Sequence, residues 1–178
     1  TTSLAFTGTA GGTNPAALRD RQTDGNYDRY RRAVADINRV LDIAGQDFNL
    51  QLSLANYQDN RRSPLMSSDL HRAAGEFRES IFFPYFERRL DQLCEEDQSG
   101  PVGFSLSYLS QALCTFAMIG YLRARHPERS IIVGGGLVTT WLSNPGWSNP
   151  FGDLVDHFIA GPGEEPLLRL LGEIPRTG

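Results

Sequence analysis

What chemistry this sequence can do is concentrated in three corners rich in glycine and small hydroxyl residues. Ser105, Ser107, Ser110 and Gln111 follow the apolar run PVGF. Gly134, Gly135, Gly136, Leu137, Val138 and Thr139 follow IIV, while Gly161, Pro162, Gly163 and Glu164 follow HFIA. Glycine lets a ligand approach the main chain, and the N–H groups and hydroxyls exposed there can answer amide or phosphate groups. Taken singly, each corner is explained by a tight turn between a strand and a helix. Three such corners at equivalent places point to a ligand-binding rim, because open α/β sheets bind ligands at the carboxyl ends of their strands.

The surrounding elements supply that geometry. A strand is expected over 101–107, where Val102, Phe104 and Leu106 alternate with small residues, and a helix over Leu109–Arg125 that stops before Pro127. A short buried strand at 131–133 runs into the glycine triplet, and a third at 156–160 runs into Gly161. Glu164 and Glu165 open a last helix, where acidic residues suit the helix dipole. These intervals match right-handed βαβ crossovers. Upstream, Tyr27, Tyr30, Val34, Ile37 and Leu41 mark a helix closed by Gly45, and 48–54 alternates like a strand. Residues 56–68 read as a loop, followed by a short helix ending at Gly75. An amphipathic helix then buries Phe82, Phe83, Phe86, Leu90, Leu93 and Cys94. A weak strand at 3–7 and a short helix at 15–19 complete the pattern.

The domains expected are a weakly structured segment at 1–26, a helical segment with one strand at 27–100, a βαβαβα core at 101–172 and a tail or linker at 173–178. The fold class is α/β, a Rossmann-like parallel sheet with helices on both faces. The count of convincing strands is low for such a sheet, which points to part of a larger domain.

Composition narrows the function. The chain has 178 residues, 40% hydrophobic, and can bury roughly 70% of its unfolded surface. No run is long enough to span a membrane, and the start shows no signal-peptide pattern. All 17 basic residues are arginine, which excludes a phosphate-loop or Schiff-base lysine within these residues. A net charge of −4 without a basic stripe argues against nucleic acid. Cys94 and Cys114 lie on apolar helix faces and fit a reducing, cytoplasmic compartment. No Ser/His/Asp constellation or two-histidine metal spacing occurs, so no catalytic residue and no metal ligand is assigned. His126 reads as a solvated helix cap, and His157 stands at the far end of its strand from the rim.

The combination SLSYLSQAL, RHP, GGGLVT and GPGEEPLL resembles the cobalamin-binding-like domain that precedes the barrel of radical S-adenosylmethionine enzymes. Twenty-six residues separate Ser107 from Gly134, the spacing of that family's S-x-L and G-G elements. Two features depart from the pattern. Ser107 replaces leucine in Ser105-Leu106-Ser107, and Asp69-Leu70-His71 lies too close upstream, with its glycine, Gly75, one place late. The resemblance implies that the three corners hold cobalamin. It also implies a downstream barrel in the same polypeptide carrying a 4Fe-4S cluster and S-adenosylmethionine; the cluster's C-x-x-x-C-x-x-C is not in these residues. It thus implies methyl transfer or cobalamin-assisted radical chemistry in the parent enzyme. A docking or substrate-shaping domain that binds no corrin is the alternative, favoured by the two departures. A third option is a nicotinamide or other nucleotide site at Gly134-Gly135-Gly136, with Asp156 twenty residues beyond Gly136.

Overall fold

The computed structural model describes residues 27–172, so the expected elements at 3–7 and 15–19 and the tail at 173–178 lie outside the described residues. The described residues divide into two compact units between Asn60 and Arg61, and the division falls inside the segment 27–100.

In the first unit, helix α1 (Tyr27–Gln46) packs on strand β1 (Leu50–Leu52), which pairs antiparallel with β2 (Tyr57–Asp59). Gly45 lies within α1, which runs on to Gln46. A Cβ at Gly45 would meet the Leu50 carbonyl oxygen at 2.6 Å, so close approach of β1 requires the glycine. Asn49 takes the left-handed conformation at φ 57°, which asparagine tolerates better than most residues. β2 falls within the expected loop. The Ser53 hydroxyl accepts the Ala55 and Asn56 amides and folds the chain back, a turn that alternation along 48–54 does not reveal.

The second unit contains α2 (Ser67–Gly75), a 3-10 turn (Phe77–Glu79), α3 (Phe83–Glu96), β3 (Val102–Ser105), α4 (Leu109–Arg125), β4 (Ile131–Gly134), α5 (Gly136–Leu142), β5 (His157–Phe158) and α6 (Glu164–Leu170). It is α/β, and β3, β4 and β5 form a three-stranded parallel sheet in that order. α4 is apolar on almost every side, and nine of its residues are buried. It packs against α2, where a Cβ on Gly120 would collide with the Ala74 carbonyl. Phe77, Phe83, Phe86 and Tyr121 form an aromatic cluster joining α3, the 3-10 turn and α4. Leu93, expected on the buried side of α3, is 40% exposed.

Register shows which face of the sheet is covered. Phe104, Val133 and Phe158 are partners across the three strands and share one face. Phe151 contacts Phe158, Phe116 of α4 and Trp141 of α5, so both connections lie on that face. Two right-handed crossovers moving in the same direction along a sheet place their helices on the same side. The other face carries Gly103, Ser105, Ile132 and Gly134, and α6 lies beside it through Leu167 and the preceding Gly163. Helices therefore flank both faces, with the second covered in part.

Two guanidinium groups fasten the opposite edge. Buried Arg129 donates to the carbonyls of Gly100 (2.8 Å), Cys94 (3.3 Å) and Asp97, closing the carboxyl end of α3 and the segment after it. Arg123 donates to Leu154 O (2.9 Å), Arg129 O (3.1 Å) and the Asp156 carboxylate (2.7 Å), which also accepts the Ile131 amide at 2.7 Å.

Two consequences can be measured. Gly120→Ala must push α2 off α4, and a fall in stability of about 2 kcal/mol is expected in urea unfolding; an unchanged midpoint contradicts the packing. At Asp156, desolvation pushes the carboxyl upward, but the Ile131 amide and Arg123 outweigh it and hold it below the usual carboxylate value of 3.8. Its contribution is then complete above the unfolded value and lost as pH falls through the folded one. Asp156→Asn should therefore show a shallower loss of stability below about pH 4 than the wild type. Asp156→Ala, which strips the buried Ile131 amide of its acceptor, should cost about 1–3 kcal/mol at neutral pH.

Candidate functional site

β3, β4 and β5 run in parallel, so the corners that follow them lie on one rim of the sheet. The first two are interlocked through the main chain. Leu106 donates its amide to Gly134 O at 2.7 Å and accepts the Leu137 amide at 3.2 Å. Between these bonds sits Gly135 at φ 107°, and a Cβ there would lie 2.6 Å from the Leu106 carbonyl oxygen. Only glycine meets both demands. At the first corner, Gln111 Oε1 accepts the amides of Ser107 (3.0 Å) and Tyr108 (3.1 Å), capping α4. At the third, the Gly161 amide donates to Thr139 Oγ1 at 2.9 Å.

Above this rim, on the partly covered face, is an open cleft of about 470 Å³. Of the residues expected at a site, Ser105, Gly134, Gly135, Gly161, Gly163 and Glu164 line it together. The remaining candidates lie elsewhere on the rim. Gln111 is engaged in the cap and Thr139 binds Gly161, while Val138 is fully buried. Ser107, Ser110 and Leu137 are half-buried, and Gly136 and Pro162 are exposed; none of these lines the cleft. Sequence reasoning did not place Gly103, Phe104, Ile132, Ile159 and Leu167 there. A signal for Gly103 existed: glycine inside a strand marks a place where something approaches closely, and a Cβ there would meet nothing within 4 Å.

The cleft is lined by backbone, one hydroxyl, apolar side chains and a single ionisable group, Glu164. Among the described residues no arginine lines it. Such a lining suits an uncharged, amide-edged ligand better than a polyphosphate, because the carboxylate repels phosphate at contact distance. It also offers a bound metal no imidazole or thiolate. His71 of the Asp69-x-His71 sequence faces Pro150 O at 2.8 Å and packs against Phe151, in the chain leading to the amino end of β5. Among the described residues there is no group of three or more His, Cys, Asp and Glu side chains that could hold a metal ion.

A second cleft, of about 540 Å³, lies at the amino edge between Arg123, Arg129, Asp156 and His157. Its guanidinium groups are bound to carbonyls and to Asp156. Asp156 is thus held at the edge opposite the glycine corners, away from the place that a nicotinamide ribose would need. His126, expected to be solvated, has Nε2 3.4 Å from Asp91, whose carboxylate also takes the Tyr121 hydroxyl at 2.5 Å. Burial, reinforced by that bond, raises the Tyr121 phenol well above its usual value. Burial also pushes the Cys114 thiol up to about 11, which leaves it protonated and unreactive at neutral pH.

The chain matches no protein-family model, no curated protein and no solved structure. Among the described residues, no helix is long and apolar enough to cross a membrane.

The interlocked corners carry a sharp expectation. Gly135→Ala introduces both a clash with Leu106 and a strained φ, and a loss of about 2–4 kcal/mol is expected by thermal or urea unfolding. Wild-type stability in that variant would show that the Leu106–Gly135 contact is absent.

Proposed function

We propose that the carboxyl rim of the β3–β4–β5 sheet is a cofactor cradle that takes cobalamin, in a cytoplasmic enzyme whose radical S-adenosylmethionine barrel and 4Fe-4S cluster follow in the same polypeptide. In that setting the domain holds the corrin for methyl transfer or cobalamin-assisted radical chemistry performed next to the barrel. One observation carries the reading: strand-end corners from three parallel strands open into one cleft floored by Gly103, Ser105 and Gly134. Small residues give a low, flat floor, and a broad ring edged with amides can lie across it. The ring's amide N–H groups can donate to Glu164, and its carbonyls can accept from the Ser105 hydroxyl and from amides at the rim. Among the described residues, the cleft would offer cobalt no imidazole or thiolate.

That last feature favours a second reading, a docking or substrate-shaping domain of the same kind of enzyme that binds no corrin. The two are separated by adding hydroxocobalamin to the full chain and recording the visible spectrum of the protein peak after gel filtration. The cofactor reading expects a coloured peak, and expects Gly103→Phe to weaken binding by at least about tenfold. Gly103 has open space where a side chain would go, so this variant fills the cleft without a clash and should keep wild-type stability. A colourless wild-type peak supports the docking reading, and undiminished binding by Gly103→Phe places the corrin elsewhere.

A further inference from the structure

The third corner is attached to the other two differently from the way they are attached to each other. The first two share main-chain bonds through Leu106, Gly134 and Leu137. After β5 the ladder continues with one bond, from the Ile159 amide to Val133 O at 2.9 Å, and the chain then turns at Gly161 with φ 69°. A Cβ at Gly161 would meet nothing within 4 Å, so neighbouring atoms do not clamp this turn. The helix that follows, α6, contains no buried residue. Yet Gly161, Gly163, Glu164 and Leu167 make up one wall of the cleft. Packing alone therefore holds that wall weakly.

We infer that Thr139 is a positioning residue whose hydroxyl sets the Gly161 corner, and with it the α6 wall, against the rigid pair of corners. Thr139 Oγ1 donates its proton to Gly135 O at 3.0 Å and accepts the Gly161 amide at 2.9 Å. The donated bond is the ordinary back-bond of a helical threonine to the carbonyl four residues earlier. It also aims an oxygen lone pair away from the helix, and the Gly161 amide uses it. One hydroxyl thus joins the second corner to the third. Valine has the same shape and can make neither bond, whereas serine can make both. The inference deepens the cobalamin reading and rests on it for the identity of the ligand; the link between corners does not depend on it.

The test uses the full chain with Thr139→Val, Thr139→Ala and Thr139→Ser. Two alternatives without a hydroxyl are included so that the outcome does not turn on how one methyl group packs. Amide hydrogen exchange at Gly161, followed by NMR, should be at least about fivefold faster in the Val and Ala variants and return to the wild-type rate in Thr139→Ser. Exchange at Phe116 and Val133 in the core should stay unchanged. The dissociation constant for hydroxocobalamin should rise by about the same factor in Val and Ala and be restored in Ser. Wild-type exchange at Gly161 in both Val and Ala overturns the inference. So does a serine variant as fast as the valine one, or an affinity that stays constant while exchange quickens. If the wild-type chain takes up no hydroxocobalamin, the cofactor reading fails, and the exchange rates still decide the role of Thr139.

Discussion

The site depends on the way Leu106 is shared between two strand–helix turns. Its amide is taken by Gly134 O and its carbonyl by the Leu137 amide, while its side chain is completely buried. These contacts bring the turns after β3 and β4 within van der Waals distance, closer than any side chain at position 135 permits. These two corners are consequently built into the fold and need no ligand to assemble them. Preorganisation of this kind removes an ordering cost that binding would otherwise have to offset.

Sheet topology explains why the space beside this rim is open. Strand order follows chain order, so α4 and the α5 connection gather on the face of Phe104, Val133 and Phe158, where Phe116 and Phe151 are buried and half-buried Trp141 packs against Phe151. The opposite face bears Gly103, Ser105 and Gly134, which leave room, and Ile132 and Ile159, which give it an apolar base. The two edges of the sheet differ in kind. At the amino edge Arg123 pairs with Asp156, and the guanidinium groups of Arg123 and Arg129 bind nearby carbonyls, a structural use of charge. At the carboxyl edge Glu164 is the one ionisable side chain among the described residues that line the cleft, which is mostly backbone and apolar surface.

Much of this was legible in the residues because the governing signals are local. The apolar helix ending before Pro127, the three short strands and the turns at Gly135 and Gly161 all follow from periodicity and from the special conformations of glycine and proline. What was not legible depends on partners distant in the chain. Arg129 closes the end of α3 through carbonyls 29 to 35 residues away. His126 is fastened to Asp91 and His71 to Pro150, neither of which is a sequence neighbour. β2 exists because Ser53 turns the chain, not because Tyr57, Gln58 and Asp59 alternate in polarity. Within the site, composition pointed to the corners but did not separate Ser105, which faces the cleft, from Gln111, which is engaged in capping its own helix. That distinction requires side-chain direction, which spacing alone does not supply.

The most direct measurement of the central claim is a map of backbone amide shifts while the 15N-labelled chain is titrated with hydroxocobalamin. If one cleft spans the three strand ends, the amides of Ser105, Gly134, Gly135, Gly161 and Gly163 should move together along a single binding curve. Those of Ser130, Ile131 and His157 at the amino edge should stay still. Shifts confined to one corner, or concentrated at the amino edge, would contradict the account.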